Sequence, residues 1–164
     1  MSSEAARVIP VTSGVGFGPT PLSAFDHALF EAGIANYNLI PLSSVIPLGH
    51  QPRVERVDWN GQEQGHRLYV VLASQQAETK GQSVAAGLGW VMAKTNPVWG
   101  LFVEHHGETE EDVRRQIENS LAHMMSYRTD CQWGKIETHI VSAKCSGTPV
   151  CALAAAIYQS EPWG

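Results

Sequence analysis

Positive charge is scarce in this sequence. Its 164 residues include 11 Lys and Arg against 16 Asp and Glu, which gives a net charge of -5 at pH 7. Surfaces that bind nucleic acid or anionic membranes need an excess of basic residues, so this balance argues against both and favours small cationic ligands. No apolar run reaches the ~18 residues of a membrane span, and the first residues lack the apolar segment of a signal peptide. We therefore expect a cytoplasmic protein.

Patterns typical of metal sites and disulfides are also missing. The three cysteines, Cys131, Cys145 and Cys151, have no CxxC spacing. An odd number of such cysteines is typical of buried free thiols in a reducing compartment. The seven histidines form no HExxH motif and no other paired ligand spacing. We therefore predict that the protein holds no metal.

Three alternating glycines, Gly14, Gly16 and Gly18, resemble a loop that cradles a phosphate. The dinucleotide spacing of the third glycine and the Gly-Lys-Ser/Thr of a P-loop are both absent. We expect a glycine-rich loop in which the missing side chains let another backbone or a ligand approach closely. A nucleotide-binding domain that uses this loop is an alternative, and it predicts saturable binding of ATP or NAD.

Apolar periodicity divides the chain into strands and helices of one domain. Thr20 and Pro21 are typical of a helix start, and Gly33 of a helix end. Residues 108–127 have an acidic first turn and an apolar stripe, which predict an amphipathic helix. The remaining predictions are strands at 8–12, 36–42, 67–74, 98–105, 136–143 and 150–158, a helix at 84–94, and a loop over most of 47–64. The sequence thus predicts a mixed α/β or α+β sandwich.

A pair of serines, Ser43 and Ser44, lies in an unusual setting. Residues 38–47 read NLIPLSSVIP, which places the pair between apolar residues at the end of a predicted strand. No predicted helix begins there that would need a serine cap, and no exposed loop requires the polarity. This setting favours a reactive role for the pair.

Five segments spread over most of the chain carry a resemblance to a known family. They are AFDHAL at 24–29, AGIANYNLI at 32–40, LSSVIP at 42–47, GLFVE at 100–104 and the alanine-rich strand at 151–158. Together, and in this order, they closely resemble pyruvoyl-dependent arginine decarboxylases. The resemblance implies a single-domain, layered αββα sandwich with mixed and antiparallel sheets.

The resemblance also implies a proenzyme that processes itself. The hydroxyl of Ser44 would attack the carbonyl of Ser43 to form an ester, and β-elimination would then break the chain. Residue 44 would hydrolyse to a pyruvoyl group with loss of ammonia, leaving a β chain of residues 1–43 and an α chain of residues 44–164. Such a ketone condenses with a substrate amine and accepts the electrons released with carbon dioxide, so no lysine or external cofactor is required.

Four further residues receive roles from the resemblance. Glu104 would donate the proton that replaces carbon dioxide, and its place at the end of an apolar strand predicts that burial raises its pKa. Asn38 would bind substrate or steer processing. Asp26 would accept hydrogen bonds from the guanidinium of arginine, and Leu29, one turn later, would line the aliphatic part of that pocket. The implied reaction converts L-arginine to agmatine and carbon dioxide.

The sequence leaves alternatives open for the substrate and for the assembly of the protein. The sequence departs from the family pattern at Pro41, at Ile46 and over residues 49–65. A pyruvoyl decarboxylase for a different amino acid is therefore one alternative, and an unprocessed, non-catalytic oligomeric homologue is another. Members of the family assemble as trimers or as pairs of trimers with sites between subunits. We expect a homotrimer or a dimer of trimers here.

Overall fold

The computed structural model describes residues 4–58 and 61–164 of the chain. These ranges contain two helices, α1 (Pro21–Ala32) and α2 (Glu110–Ser126). The strands are β1 (Arg7–Phe17), β2 (Asn38–Pro41), β3 (Val45–Ile46), β4 (His50–Val54), β5 (Arg67–Ala77), β6 (Ser83–Met92), β7 (Gly100–Gly107), β8 (Glu137–Lys144) and β9 (Val150–Glu161). The predicted helix that starts after Thr20 and ends at Gly33 is confirmed, as is the later amphipathic helix.

The strands form two sheets. Sheet A has the order β2-β5-β9-β1-β4, with antiparallel pairs at its centre and a parallel pair at each edge. Sheet B is antiparallel throughout, in the order β3-β7-β6-β8. The edge strand β2 of sheet A and the edge strand β3 of sheet B are separated only by residues 42–44. The chain therefore passes from one sheet to the other at the serine pair.

Three apolar clusters hold the layers together. The cluster between the sheets includes Ile46, Trp90 and Phe102. A second cluster joins α1 to the outer face of sheet A, and a third joins α2 to the outer face of sheet B through Val113 and Ile117. The layers follow the order α1, sheet A, sheet B, α2, so the predicted αββα sandwich with mixed and antiparallel sheets is confirmed.

Gly14 and Gly16 lie within strand β1, so the predicted loop is wrong there, whereas Gly18 follows the end of the strand. Gly14 and Gly16 pair with β9 within β1, and their backbone amides are not free to face a phosphate. The helix α1 lies directly over them. A Cβ on Gly16 would lie 2.2 Å from the backbone nitrogen of Ala28 and 2.4 Å from the carbonyl oxygen of Ala24. Because these glycines have no side chains, the backbone of α1 can pack closely against β1.

The helix predicted at residues 84–94 is also wrong, because this segment forms β6. The strand is buried on both faces between sheet A and α2. Nearly all its side chains are therefore apolar, and the alternation typical of a half-buried strand is absent. A Cβ on Gly89 would lie 2.0 Å from Cγ2 of Ile117, so the glycine makes room for α2.

The predicted loop over residues 47–64 contains a strand. β4 pairs in parallel with β1 from His50 to Val54 at the edge of sheet A. The exposed position explains the polar composition that led to the wrong prediction, because an edge strand buries few side chains. Within residues 4–58 and 61–164, neither helix has the length and apolar character required to cross a membrane.

Candidate active site

Ser43 and Ser44 lie in the connection between the two sheets, between two anchored points. On the upstream side, the backbone N–H of Leu42 donates to the carbonyl of Val70 in sheet A at 2.8 Å. On the downstream side, the N–H of Phe102 in sheet B donates to the carbonyl of Ser44 at 2.7 Å. Ser43 is exposed and Ser44 is half-buried. The bond between the serines is therefore accessible, while the backbone on both sides of it is fixed.

The residue after the pair is held from the opposite sheet. The hydroxyl of Tyr158 donates to the carbonyl of Val45 at 2.8 Å. Tyr158 lies near the end of β9, where the register with β5 shifts so that Tyr158 has no partner residue across the ladder. Such an irregularity redirects a side chain, and bulges are common beside active sites. Sequence reasoning missed Tyr158, although a tyrosine closing a run of alanines was a signal that could have been used.

Glu104 lies on β7, two residues beyond Phe102 and on the same side of the strand. The strand continues to Gly107, so the prediction that Glu104 ends its strand is wrong. The side chain is exposed in the single chain. Neighbouring protein nevertheless removes water from around the carboxyl, and this burial raises the pKa of Glu104 above its ordinary value, in the predicted direction.

Glu104 and Tyr158 influence each other electrostatically. Burial raises the pKa of the Tyr158 phenol, and the negative charge of Glu104 raises it further. The phenol therefore stays protonated at neutral pH and remains a donor to Val45. The Tyr158 ring also contacts Phe102, with ring centroids 6.2 Å apart. Phe102 of sheet B and Tyr158 of sheet A thus donate hydrogen bonds to the carbonyl groups of Ser44 and Val45.

A polar cavity of about 480 Å³ adjoins Glu104, with Ser74, His106 and Gln116 in its lining. A larger cavity of about 720 Å³ lies against α1, β1 and β4, and it includes Ser13 and His139, which are hydrogen bonded at 3.0 Å. None of the residues predicted for the site lines the larger cavity. Of the residues predicted for the site, Glu104 lines the smaller cavity.

The predicted substrate-binding residues have other surroundings than the serine pair in the single chain. Asn38 begins β2, and its Nδ2 donates to the carbonyl of Gly65 at 2.8 Å. Asp26 is exposed on α1. Leu29 is 6% exposed and packs between α1 and sheet A. Within the described residues, no hydrogen bond links any of the three to Ser44, so their contact with a substrate stays a prediction.

Exposed apolar side chains surround both parts of the predicted site. Leu22 and Phe30 lie four residues before and after Asp26, on the same helix face, and are 75% and 67% exposed. Val45 and Leu48, which follow the serine pair, are 51% and 65% exposed. Apolar groups left in water at two places are typical of surfaces that contact another protein.

Comparison with known proteins identifies the family. A profile of pyruvoyl-dependent arginine decarboxylases matches residues 8–162. The chain belongs to this family. The family consists of carboxy-lyases that use a covalently bound pyruvoyl group, so the predicted family, enzyme class and cofactor are confirmed.

Several relatives carry the name pyruvoyl-dependent arginine decarboxylase. The protein from Thermoplasma volcanium is 34% identical over 129 residues, which cover 77% of this chain and 70% of the relative. The protein from Methanococcus maripaludis is 33% identical over 131 residues, or 77% of each chain. The protein from Methanothermobacter thermautotrophicus is 35% identical over 122 residues, which cover 73% of this chain and 76% of the relative.

The residues at the sheet crossover fit a pyruvoyl group made from residue 44. The carbonyl oxygen of that residue already accepts the Phe102 N–H. In a pyruvoyl group made from residue 44, this oxygen would be the amide oxygen next to the ketone, and it would share the negative charge of the reaction. A fixed N–H donor at such an oxygen stabilises the developing charge. In residues 4–58 and 61–164, no three His, Cys, Asp or Glu side chains are grouped to hold a metal ion.

Proposed function

We propose that this protein decarboxylates L-arginine to agmatine and carbon dioxide with a pyruvoyl group that it makes from Ser44. The observation that carries the proposal is the serine pair at the sheet crossover, with the backbone fixed on both sides. The Ser44 carbonyl accepts from Phe102, two residues along β7 from Glu104, whose pKa is raised. The names of the relatives support arginine as the substrate. The net charge of -5 and the exposed Asp26 suit a guanidinium group.

The processing reaction would proceed through the two serines alone. The Ser44 oxygen attacks the carbonyl carbon of Ser43, the peptide C–N bond breaks, and the freed amine takes the proton. Elimination then removes the α-hydrogen of residue 44 and breaks its Cβ–O bond, which leaves Ser43 as a new carboxyl terminus. Addition of water and loss of ammonia convert residue 44 to a ketone. The fixed neighbours Leu42 and Val45 support this route, because they limit the conformations of the reacting pair.

The remaining side chains would act on the bound substrate. When formed, the pyruvoyl group supplies a carbonyl that binds the substrate amine and accepts the electron pair released with carbon dioxide. The Phe102 N–H stabilises the charge on the residue 44 carbonyl oxygen. Glu104, with its raised pKa, stays partly protonated at higher pH than an ordinary carboxyl and donates a proton to the carbon that lost carbon dioxide.

A homotrimer, alone or paired into a hexamer, would complete the site. In the single chain, Asn38, Asp26 and Leu29 do not meet Ser44, and the apolar surfaces beside Asp26 and Ser44 are both exposed. Contact between one surface of a chain and the different surface of the next is a heterologous interface, which forms a ring when the rotation between copies closes, as it does in a trimer. Such a ring would bring Asp26 of one copy to the serine pair of its neighbour. We also propose a cytoplasmic location, which suits the three free cysteines.

Replacement of Ser44 tests the processing step. We expect wild-type protein to yield two chains, residues 1–43 and 44–164, in denaturing mass spectrometry. Ser44→Ala lacks only the nucleophile, so it should fold, remain one chain of about 17.8 kDa and release no carbon dioxide from arginine. Ser43→Ala is the matched control, because it keeps both the nucleophile and the attacked carbonyl and should still be cut.

The substrate is tested by carbon dioxide release from a panel of amino acids. Arginine should be turned over with a higher kcat/KM than lysine, ornithine or histidine. A different preferred amino acid would overturn the arginine assignment while leaving the pyruvoyl chemistry intact. Wild-type protein that stays uncut and inactive would instead indicate a non-catalytic homologue, and normal cleavage of Ser44→Ala would exclude Ser44 as the nucleophile.

A further inference from the structure

The start of the α chain depends on few contacts. Residues 44–46 lead into β3, which pairs with β7 over only two residues, Val45 and Ile46. One more backbone bond from sheet B reaches the carbonyl of Ser44. Cleavage before residue 44 would remove the covalent link to Ser43. This segment would then carry the ketone at a free chain end held by one short edge strand.

Tyr158 supplies the contact from the other sheet. Its hydroxyl bond to the Val45 carbonyl is, among the described residues, the sole hydrogen bond between sheet A and residues 44–46. The alanines that precede it on the same face of β9, such as Ala154 and Ala156, cannot reach across the core with a polar group. The register shift at Tyr158 places a long polar side chain where β9 passes the crossover.

The same side chain is linked to two further parts of the predicted site. Its ring contacts Phe102, whose N–H holds the Ser44 carbonyl. Its phenol is close enough to Glu104 to respond to the charge of the carboxyl. One residue therefore connects the segment that carries the ketone with the carboxyl that would donate the proton.

We propose that Tyr158 is a positioning residue that ties the start of the α chain to sheet A, first to hold Ser44 for self-cleavage and then to keep the ketone in place beside Glu104. The proposal rests on the proposed function, because it assumes cleavage between Ser43 and Ser44. Tyr158 touches neither the attacked carbonyl nor the departing group. Its effect is exerted through the Val45 backbone.

Tyr158→Phe tests the hydrogen bond to the Val45 carbonyl, with Tyr69→Phe as its matched control. Both changes remove a half-buried tyrosine hydroxyl from sheet A and keep the ring, but the hydroxyl of Tyr69 donates to Glu161 at 3.0 Å and not to the serine segment. Tyr158→Phe should slow self-cleavage about three- to tenfold, the effect of one lost hydrogen bond. In the cleaved enzyme, kcat should fall by a similar factor while KM stays within about twofold.

Hydrogen exchange supplies a readout that does not depend on turnover. In Tyr158→Phe, the first amides of the α chain should exchange faster, while the rest of the protein exchanges as in Tyr69→Phe. Cleavage, kcat and exchange equal to those of the control would overturn the role of Tyr158. So would a melting temperature that falls further than in the control together with faster exchange throughout the protein. Uncut wild-type protein would overturn the proposed function itself, and the two failures are therefore distinct.

Discussion

Among single residues, Glu104 shows how little of an environment can be read from sequence. An apolar run before a glutamate indicates a buried strand, and the direction of the pKa shift was predictable for that reason. The tyrosine that shares its surroundings comes from a strand more than fifty positions away, in the other sheet. A local pattern contains no information about such a partner.

Glu104→Gln should leave self-cleavage intact and lower kcat by about a hundredfold or more, the usual contribution of a general acid. Burial raises the pKa of Glu104, so the wild-type acid stays protonated to a higher pH than an ordinary glutamate and loses its proton only above that raised value. The kcat of wild type should therefore fall as the pH rises through the raised pKa, and the glutamine variant should lack this decline.

Mass spectrometry of the purified variant and a pH profile of carbon dioxide release provide the measurement. An uncut Glu104→Gln chain would place Glu104 in processing rather than turnover. A variant with the wild-type profile would remove it from the acid role.

Among the helices and strands, the predictions held where local signals are strong. Thr20 caps α1 through the Ser23 backbone, and Gly33 ends the helix at φ 86°, which are interactions within a few residues. The predictions failed for β6 and for the end of β1, where burial by distant elements determines the pattern. Glycine in both strands is explained by a helix lying against it, and the sequence does not show which helix packs on which strand.

Gly16→Ala should destabilise the protein, because its Cβ would meet the α1 backbone at 2.2 Å and backbone cannot move aside as a side chain can. Overpacking of this kind costs about 3 kcal/mol or more. At this chain length, such a loss lowers the melting temperature by about 6–12 °C.

Gly107→Ala is the matched control for a thermal melt. It is also a strand glycine, but its nearest neighbour to a new Cβ would be Nε2 of Gln116 at 3.6 Å, an ordinary contact. Equal melting temperatures for the two variants would show that α1 can shift to accept the methyl group.

For the whole molecule, a single chain connects some residues of the predicted site and leaves others unconnected. The sequence indicated Ser43, Ser44 and Glu104, and the fold joins them through β7, where the Phe102 N–H donates to the Ser44 carbonyl two residues before Glu104. Asp26 on α1 and Asn38 on β2 make no hydrogen bond to these three residues in the described parts of the chain. A contact across the proposed interface between copies would leave no periodic pattern along either segment, so the sequence could not reveal it.

Leu22→Glu should weaken assembly, since it would place a charge in the apolar face that surrounds Asp26. Light scattering after size exclusion should give three or six copies of the 17.8 kDa chain for wild type and a smaller species for the variant. Glu118→Gln, exposed on α2, is a control that should keep the wild-type mass. An unchanged mass for Leu22→Glu would exclude this face from the interface.

The position of β1 determines what a cut at the crossover means for the lifetime of the protein. The shorter piece carries β1, α1 and β2, and β1 lies inside sheet A between β9 and β4. Because β9 and β4 belong to the longer piece, the two pieces share one sheet and cannot separate unless sheet A unfolds. Once cut, an unfolded copy must find a separate partner before it can rebuild, so its recovery slows with dilution. If the proposed cleavage occurs, each molecule would fold once as an intact chain, and its lifetime would then depend on its barrier to unfolding rather than on its capacity to refold.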